Sequence, residues 1–259
     1  MPNPSATDGR RLQHKTALIT GASRGIGYAI AKSFASQGAN LVLSAFNDAG
    51  LVQAKAKLDG YGVDISYLAT DISSPDSIEE LFSFAMERQP ELDILVNNAG
   101  IHIAKPFTDH GLDEFDHLMK TNVYSVFQLT QQAIRHMQKL GRGKVINVAS
   151  IAGLRGSMNS AAYNTSKHAI VGLTRCVALE NAKHGINVNA ICPGIVETDL
   201  IKGVEQRMET QGMPPEEFRE RILAQIPIGR LLQPEEIANI AVFLASSESD
   251  GMSGETISI

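Results

Sequence analysis

The chain of 259 residues has no tryptophan, only two cysteines and 5% aromatic residues. Two cysteines, Cys176 and Cys192, supply neither a disulfide framework nor a thiolate ligand spacing. Both are expected to be small buried hydrophobes in a protein of a reducing compartment. The seven histidines are scattered with no HExxH-like cluster, so no metal site is expected. No run approaches the about 18 apolar residues that a membrane helix needs, and the opening MPNPSATDGRRLQH carries no apolar core of a secretory signal. Charge of one sign is not concentrated either. A net charge of -5 without a long basic run argues against nucleic-acid and anionic-membrane partners. The expectation is a soluble cytoplasmic protein with a disordered lead over 1–13.

What is present supports one large α/β domain over 14–259, with 43% hydrophobic and 20% charged residues. Short apolar runs at Lys15 to Thr20, Asn40 to Ala45, Val63 to Ala69, Leu92 to Asn97, Lys144 to Ala149, Ile186 to Ile191 and Glu255 to Ile259 read as seven strands. Helical patterns separate them, including a long one from Leu112 to Lys139 with Thr121 and Asn122 in its middle. An Asn inside a helix is either exposed or marks a kink or bulge. Strict alternation of strand and helix predicts a doubly wound parallel sheet with ligands at the strands' C-terminal ends. Ile195 to Leu232, rich in charge, Met, Gly and Pro with only a weak helical pattern, reads as a lid or binding loop.

The first strand runs directly into GASRGIG and then a helix. In that context Gly21 permits a tight turn, Gly25 and Gly27 allow close backbone approach, and the helix N-terminus offers N–H groups to a pyrophosphate. The second strand ends Ser44, Ala45, Phe46, Asn47 with no acid at its tip to accept from a ribose 2′-hydroxyl, the alternative acceptor being Asp48, folded back from the next position. Arg24 in the glycine loop is placed to meet a 2′-phosphate, which leans the reading of an NAD(P) cofactor toward NADP. Asp71 serves either local backbone N–H groups or an adenine amine.

Tyr163 and Lys167 lie four residues apart on one helix face, and Ser150 follows the fifth strand. A free phenol titrates near 10 and is a poor base at neutral pH. An ammonium about 4 Å away is worth on the order of 4 kcal/mol at an effective dielectric of about 20, enough to bring the phenol toward neutrality. With Ser150 bonding the substrate oxygen, such a pair interconverts a carbonyl and an alcohol.

From about Lys15 to Ile259 the chain resembles the short-chain dehydrogenase/reductase family. The motifs are TGASRGIG at Thr20 to Gly27, Asp71 with Ile72, NNAG at Asn97 to Gly100, Asn122, Ser150, Tyr163-x-x-x-Lys167 and Pro193 with Gly194. The resemblance implies a single-domain Rossmann fold and a catalytic set of Asn122, Ser150, Tyr163 and Lys167. It further implies cofactor contacts at Gly21, Ser23, Arg24, Gly25, Ile26, Gly27, Asp71, Ile72, Asn98, Ala99, Gly100, Tyr163, Lys167, Pro193, Gly194, Ile195 and Thr198. Lys167 would lower the Tyr163 pKa, and Asn122 would support a proton relay.

Within the family the chain is most similar to 3-oxoacyl carrier-protein reductases, 3-hydroxybutyrate dehydrogenases and polyol dehydrogenases. The run LVLSAFND resembles the NAD-using hydroxybutyrate enzymes, whereas the acid-free strand end resembles NADP reductases. Ala152 and His102 stand where the hydroxybutyrate enzymes have polar carboxylate-binding residues. His102, Ser150, Arg155 and Asn159 are the candidate substrate contacts. The expected activity is that of a 3-oxoacyl or carbonyl reductase, the alternatives being a sugar, polyol or 3-hydroxy-acid dehydrogenase and a catalytically silent nucleotide-binding regulator. Relatives of this kind assemble through their two long helices, so a homotetramer is expected.

Overall fold

The computed structural model describes residues 9–210 and 212–259. Of the expected lead, 1–8 lie outside the described residues. Leu12 is fully buried and its N–H donates to the Gln37 carbonyl at 3.0 Å, so the folded domain begins before the expected boundary at 14.

Seven strands form one parallel sheet: β1 (Thr16–Thr20), β2 (Asn40–Ala45), β3 (Ile65–Ala69), β4 (Ile94–Asn97), β5 (Gly143–Val148), β6 (Ile186–Cys192) and β7 (Thr256–Ser258). Their spatial order is β3-β2-β1-β4-β5-β6-β7. The order reverses between β1 and β4, which opens a crevice beyond the carboxyl ends of those two strands.

Both faces of the sheet are covered, and the strand residues divide between them with period two. Ala17, Ile19, Leu41, Leu43, Ile94, Val96, Ile146 and Val148 pack with α1 (Gly25–Ser36), α2 (Asp48–Leu58) and α9 (Pro234–Ala245). Leu18, Val42, Leu95, Val145 and Val188 face the other way, against α3 (Pro75–Arg88) and α5 (Ser125–Leu140). Truncating one of these, Leu18→Ala for example, removes about 2–5 kcal/mol.

The long helical pattern over 112–139 is three pieces: α4 (Leu112–Met119), a π-helical turn at Lys120–Tyr124, and α5. Thr121 Oγ1 donates to the His117 carbonyl at 3.0 Å and Ser125 Oγ to the Thr121 carbonyl at 2.6 Å. These side-chain bonds compete with the main-chain ladder and accompany the widened turn. The turn aims Asn122 inward, where it is buried. Of the two outcomes open for that asparagine, the bulge is the one observed.

After β5, α6 (Ala161–Asn181) runs back along the sheet. Cys176, expected to be buried, is exposed because it falls on the outward face of α6 with Gly172, Arg175 and Leu179, whereas Cys192 at the end of β6 is buried.

The lid segment is more regular than its weak pattern indicates. It contains α7 (Asp199–Thr210) and α8 (Pro215–Leu223), polar helices that pack mainly on each other, with Arg219 Nε donating to Glu205 at 2.7 Å and Phe218 buried between them. A one-residue parallel bridge between Val196 and Leu232 closes its base, where the Leu232 N–H reaches the Ile195 carbonyl at 2.9 Å and the Glu197 N–H the Leu232 carbonyl at 2.8 Å. The lid therefore leaves and re-enters the domain at one point. Among the described residues, no helix is long and apolar enough to cross a membrane.

At the opposite, amino-terminal edge of the sheet, the buried Asp93 carboxylate accepts from Lys15 Nζ at 3.1 Å, Arg142 Nε at 2.9 Å and the Thr16 N–H at 3.1 Å. This network ties β1, β4 and β5 together at their starts.

Candidate active site

The crevice beyond β1 and β4 begins with the glycine loop. Gly21 and Gly25 have φ of 66° and 56°, the left-handed region that favours glycine. A Cβ on Gly27 would lie 2.2 Å from the Gly21 carbonyl oxygen, so only glycine lets α1 start this close to the turn. No side chain caps α1. The first N–H groups of a helix have no partner within it, so this end suits the pyrophosphate of a dinucleotide. Asn98 supports the loop from below, its Nδ2 donating to the Thr20 carbonyl at 2.9 Å and the Gly21 carbonyl at 3.3 Å. Thr20 returns the favour through Oγ1, which accepts from the N–H groups of Asn98 and Ala99.

On the side of β2, Asn47 caps α2 by accepting from the Gly50 N–H, Asp48 lies in the first turn of that helix and Phe46 is exposed at the strand tip. Asp48 thus stands at the helix start, one residue past its cap. Arg24 is 76% exposed and meets Asp199 at 3.4 Å. Asp71 accepts from the Ser73 N–H at 2.9 Å and the Ser73 hydroxyl at 2.7 Å, and those bonds hold its carboxyl below the usual carboxylate range. The local role considered for Asp71 is therefore filled. Ile72 beside it is buried.

On the other side, four elements converge. Ser150 leaves β5, and its Oγ accepts from the Ala152 N–H at 3.1 Å. Tyr163 stands on the first turns of α6, half-buried, in hydrogen-bonding reach of the Ser150 side chain. Lys167, one turn on, is buried and donates to the Val148 carbonyl at 3.0 Å. From the π turn, Asn122 Oδ1 accepts from the Ile101 N–H at 2.8 Å, and its Nδ2 donates to the Ile101 carbonyl at 2.9 Å and to Ser166 Oγ at 3.1 Å. Gly100 closes the group: a Cβ there would sit 3.1 Å from Asn122 Oδ1 and 3.7 Å from Lys167 Nζ.

The electrostatics differ from the simple expectation. Burial pushes the Tyr163 phenol above its ordinary value, and the Ser150 hydrogen bond only partly offsets this. Burial likewise pulls the Lys167 ammonium down, to about 8. The Lys167 ammonium turns to the Val148 carbonyl and lies 5.7 Å from the Tyr163 ring centroid.

The rear of the crevice is formed by the chain after β6. The Pro193 carbonyl accepts from Ile151, the Gly194 N–H donates to Ile259, and Ile195 opens the lid's base. Thr198 lies against the glycine loop: a Cβ on Gly25 would be 3.5 Å from its methyl. Ser23 and Ile26 complete the glycine loop, partly exposed.

Of the substrate candidates, His102 is at the centre, its ring 4.6 Å from the Tyr163 ring at 71° and its Nε2 3.2 Å from Ser160 Oγ. Arg155 is exposed, with its carbonyl accepting from Asn164. Asn159 has a left-handed φ of 56° and its carbonyl accepts from the Lys105 N–H at 2.8 Å, so it joins two loops through its backbone.

A family model described as enoyl-(acyl carrier protein) reductase matches residues 21–259. The D-beta-hydroxybutyrate dehydrogenase of Cupriavidus necator is 40% identical over 245 residues, covering 94% of this chain and 95% of its own. The chain belongs to the short-chain dehydrogenase/reductase family. Another relative, the 3-oxoacyl-[acyl-carrier-protein] reductase of Vibrio cholerae, is 38% identical, with 96% of each chain covered. A solved 7α-hydroxysteroid dehydrogenase, complexed with NADH and 7-oxo glycochenodeoxycholic acid, superposes with a TM-score of 0.89 at 35% identity over 96% of this chain and 94% of that one.

As a short-chain dehydrogenase/reductase the protein is an oxidoreductase acting on hydroxyl and keto groups. Three supporting residues escaped the sequence reading. Thr20 braces the NNAG turn, Ser160 holds His102, and Ser166 holds Asn122. The available signal was position alone: Thr20 ends a strand beside the glycine loop, and Ser160 and Ser166 lie one helical turn before and after Tyr163.

Proposed function

We propose that the protein is an NADP-preferring reductase that converts a ketone with an apolar body, of the 3-oxoacyl type, to a secondary alcohol. The observation that carries this reading is the convergence of Ser150 after β5, Tyr163 and Lys167 on α6, and Asn122 on the π turn, at the carboxyl ends of the strands and beside the glycine loop.

A nicotinamide dinucleotide bound along the crevice supplies the hydride. Gly21, Ser23, Gly25, Ile26 and Gly27 would hold its pyrophosphate, Asp71 and Ile72 its adenine, and Asn98, Ala99, Gly100, Pro193, Gly194, Ile195 and Thr198 its nicotinamide half. Arg24 is exposed, its ion pair with Asp199 is also exposed, and it would turn from there to a 2′-phosphate.

Ser150 donates to the ketone oxygen and polarises it. Tyr163 gives its phenolic proton to the same oxygen as the carbon receives the hydride, so the alcohol leaves with one proton from the protein. A phenol kept protonated at neutral pH is the donor form, so the upward push on Tyr163 agrees with reduction. Lys167 stabilises the phenolate that results and binds the nicotinamide ribose. Asn122, through its hold on Ile101 and Ser166, supports the path by which Tyr163 regains a proton.

The preference for an apolar body rests on the rim. Phe107 is 76% and Met158 is 90% exposed, on the two loops that the Lys105–Asn159 bond joins. A 3-hydroxy acid is the second reading, favoured by the identity to the hydroxybutyrate enzyme, with Ala152 and His102 against it. The assembly is proposed to be a cytoplasmic homotetramer built through α5 and α6, where Phe127 and Leu179 are exposed, with Tyr124 exposed on the π turn just before α5.

The test is NADPH oxidation with a 3-oxoacyl thioester and, separately, NAD reduction with a hydroxy acid and a polyol. Turnover confined to the thioester supports the reading. Turnover only in the oxidative assays moves it to the dehydrogenase alternatives, and none in any assay with intact cofactor binding favours the silent regulator.

A further inference from the structure

We propose that His102, seated on Ser160, is a positioning residue that fixes the orientation of the Tyr163 ring. This deepens the reading of Tyr163 as proton donor and rests on it.

Two contacts and one turn of helix form a closed triangle. His102 Nε2 is 3.2 Å from Ser160 Oγ, the His102 and Tyr163 rings meet edge to face at 4.6 Å, and Ser160 lies one turn before Tyr163 at the start of α6. Ser160 is the N-cap residue of α6, where a serine ordinarily accepts from the first helical N–H groups. Its hydroxyl makes no such capping bond. It is used on the imidazole instead.

The other end of the triangle is equally held. Ile101, before His102, is gripped on both backbone groups by Asn122, and the Lys105 N–H, three residues after it, is bonded to the Asn159 carbonyl. The loop therefore presents the imidazole from a pinned frame. Rotation about its last torsion leaves a tyrosine's phenol oxygen on the axis, so that oxygen is displaced only when the whole ring swings about χ1. The His102 edge, 4.6 Å from the ring, lies against that swing and keeps the phenol oxygen beside Ser150.

The experiment labels the five tyrosines with carbon-13 at Cζ and identifies the Tyr163 resonance by its loss in Tyr163→Phe. In His102→Ala and Ser160→Ala the Tyr163 resonance is expected to shift or broaden while those of Tyr28, Tyr61, Tyr67 and Tyr124 stay in place. His102→Phe, which restores a ring edge, should return it toward its original position. Reduction of a 3-oxoacyl thioester should fall roughly tenfold in kcat in His102→Ala, with KM and NADPH affinity held within about twofold. A Tyr163 resonance unmoved in both alanine variants overturns the proposal, as does a loss confined to KM, which would make His102 a substrate contact. Should His102→Ala disturb all five resonances by unfolding, the milder Ser160→Ala decides. The resonance is read without turnover, so a failure here is distinct from a failure of Tyr163 as proton donor, which Tyr163→Phe kinetics decides alone.

Discussion

Asn122 closes a two-bond clamp on Ile101, accepting from its N–H at 2.8 Å and donating to its carbonyl at 2.9 Å. One side chain in the middle of a helix thus satisfies both backbone groups of a residue in the loop after β4, and the π turn at Lys120–Tyr124 is what points it there. Asn122→Ala takes the side-chain partner from both groups of the partly buried Ile101, at about 1–3 kcal/mol in total. The expected outcome is a loss of stability of that order in urea unfolding together with reduced kcat. Unchanged stability would show that water replaces the clamp without cost.

Lys167 should be a stability liability. Its folded pKa of about 8 lies below the usual lysine value, so the native state pays for the charge fully below pH 8. As pH rises from about 8 to about 10.4, the native chain releases the proton before the unfolded chain does, and stability recovers. Lys167→Met should therefore unfold at higher temperature than wild type at pH 7, by an amount of order 1–3 kcal/mol, and the gap should narrow toward pH 10. Thermal melts across that window check the sign, and a variant less stable at pH 7 would refute it.

Arg24 is predicted to read the cofactor. Arg24→Ala should weaken NADPH binding about tenfold and leave NADH within about twofold, followed by nicotinamide fluorescence at fixed salt. Equal effects on both would place Arg24 on the shared pyrophosphate.

Asp93 carries three donors at the start of β4 and is 6% exposed at its side chain. Asp93→Ala leaves the buried Thr16 N–H without its acceptor and removes one partner from the half-exposed Lys15 and Arg142, and should cost about 1–3 kcal/mol without changing cofactor affinity, since the crevice is at the opposite edge. Chemical unfolding and a cofactor titration on the same variant test both halves.

Most of the fold was legible because β1, β2, β4, β5 and β6 are apolar runs buried on both faces, which parallel strands require. The strand order was not, since periodicity carries no information about which strands are neighbours. Asn122 was recognised as anomalous, yet its bulge was not decided, because the apolar period continues on either side and the side-chain bonds of Thr121 and Ser125 leave no periodic trace. The lid helices were missed since their faces are largely polar and pack on one another. The residues proposed for catalysis stood out by type and spacing. What spacing could not give was the burial of the pair, which pushes the Tyr163 phenol up and not down, and the turn of Lys167 to Val148.

The measurement that tests the central claim most directly is turnover by Tyr163→Phe, with NADPH and NADH binding measured on the same preparation. The account predicts that turnover falls by at least about a hundredfold, the span of a general acid, while both affinities stay within about twofold. Turnover within about tenfold of wild type would contradict Tyr163 as the proton donor, and with it the mechanism built on that residue.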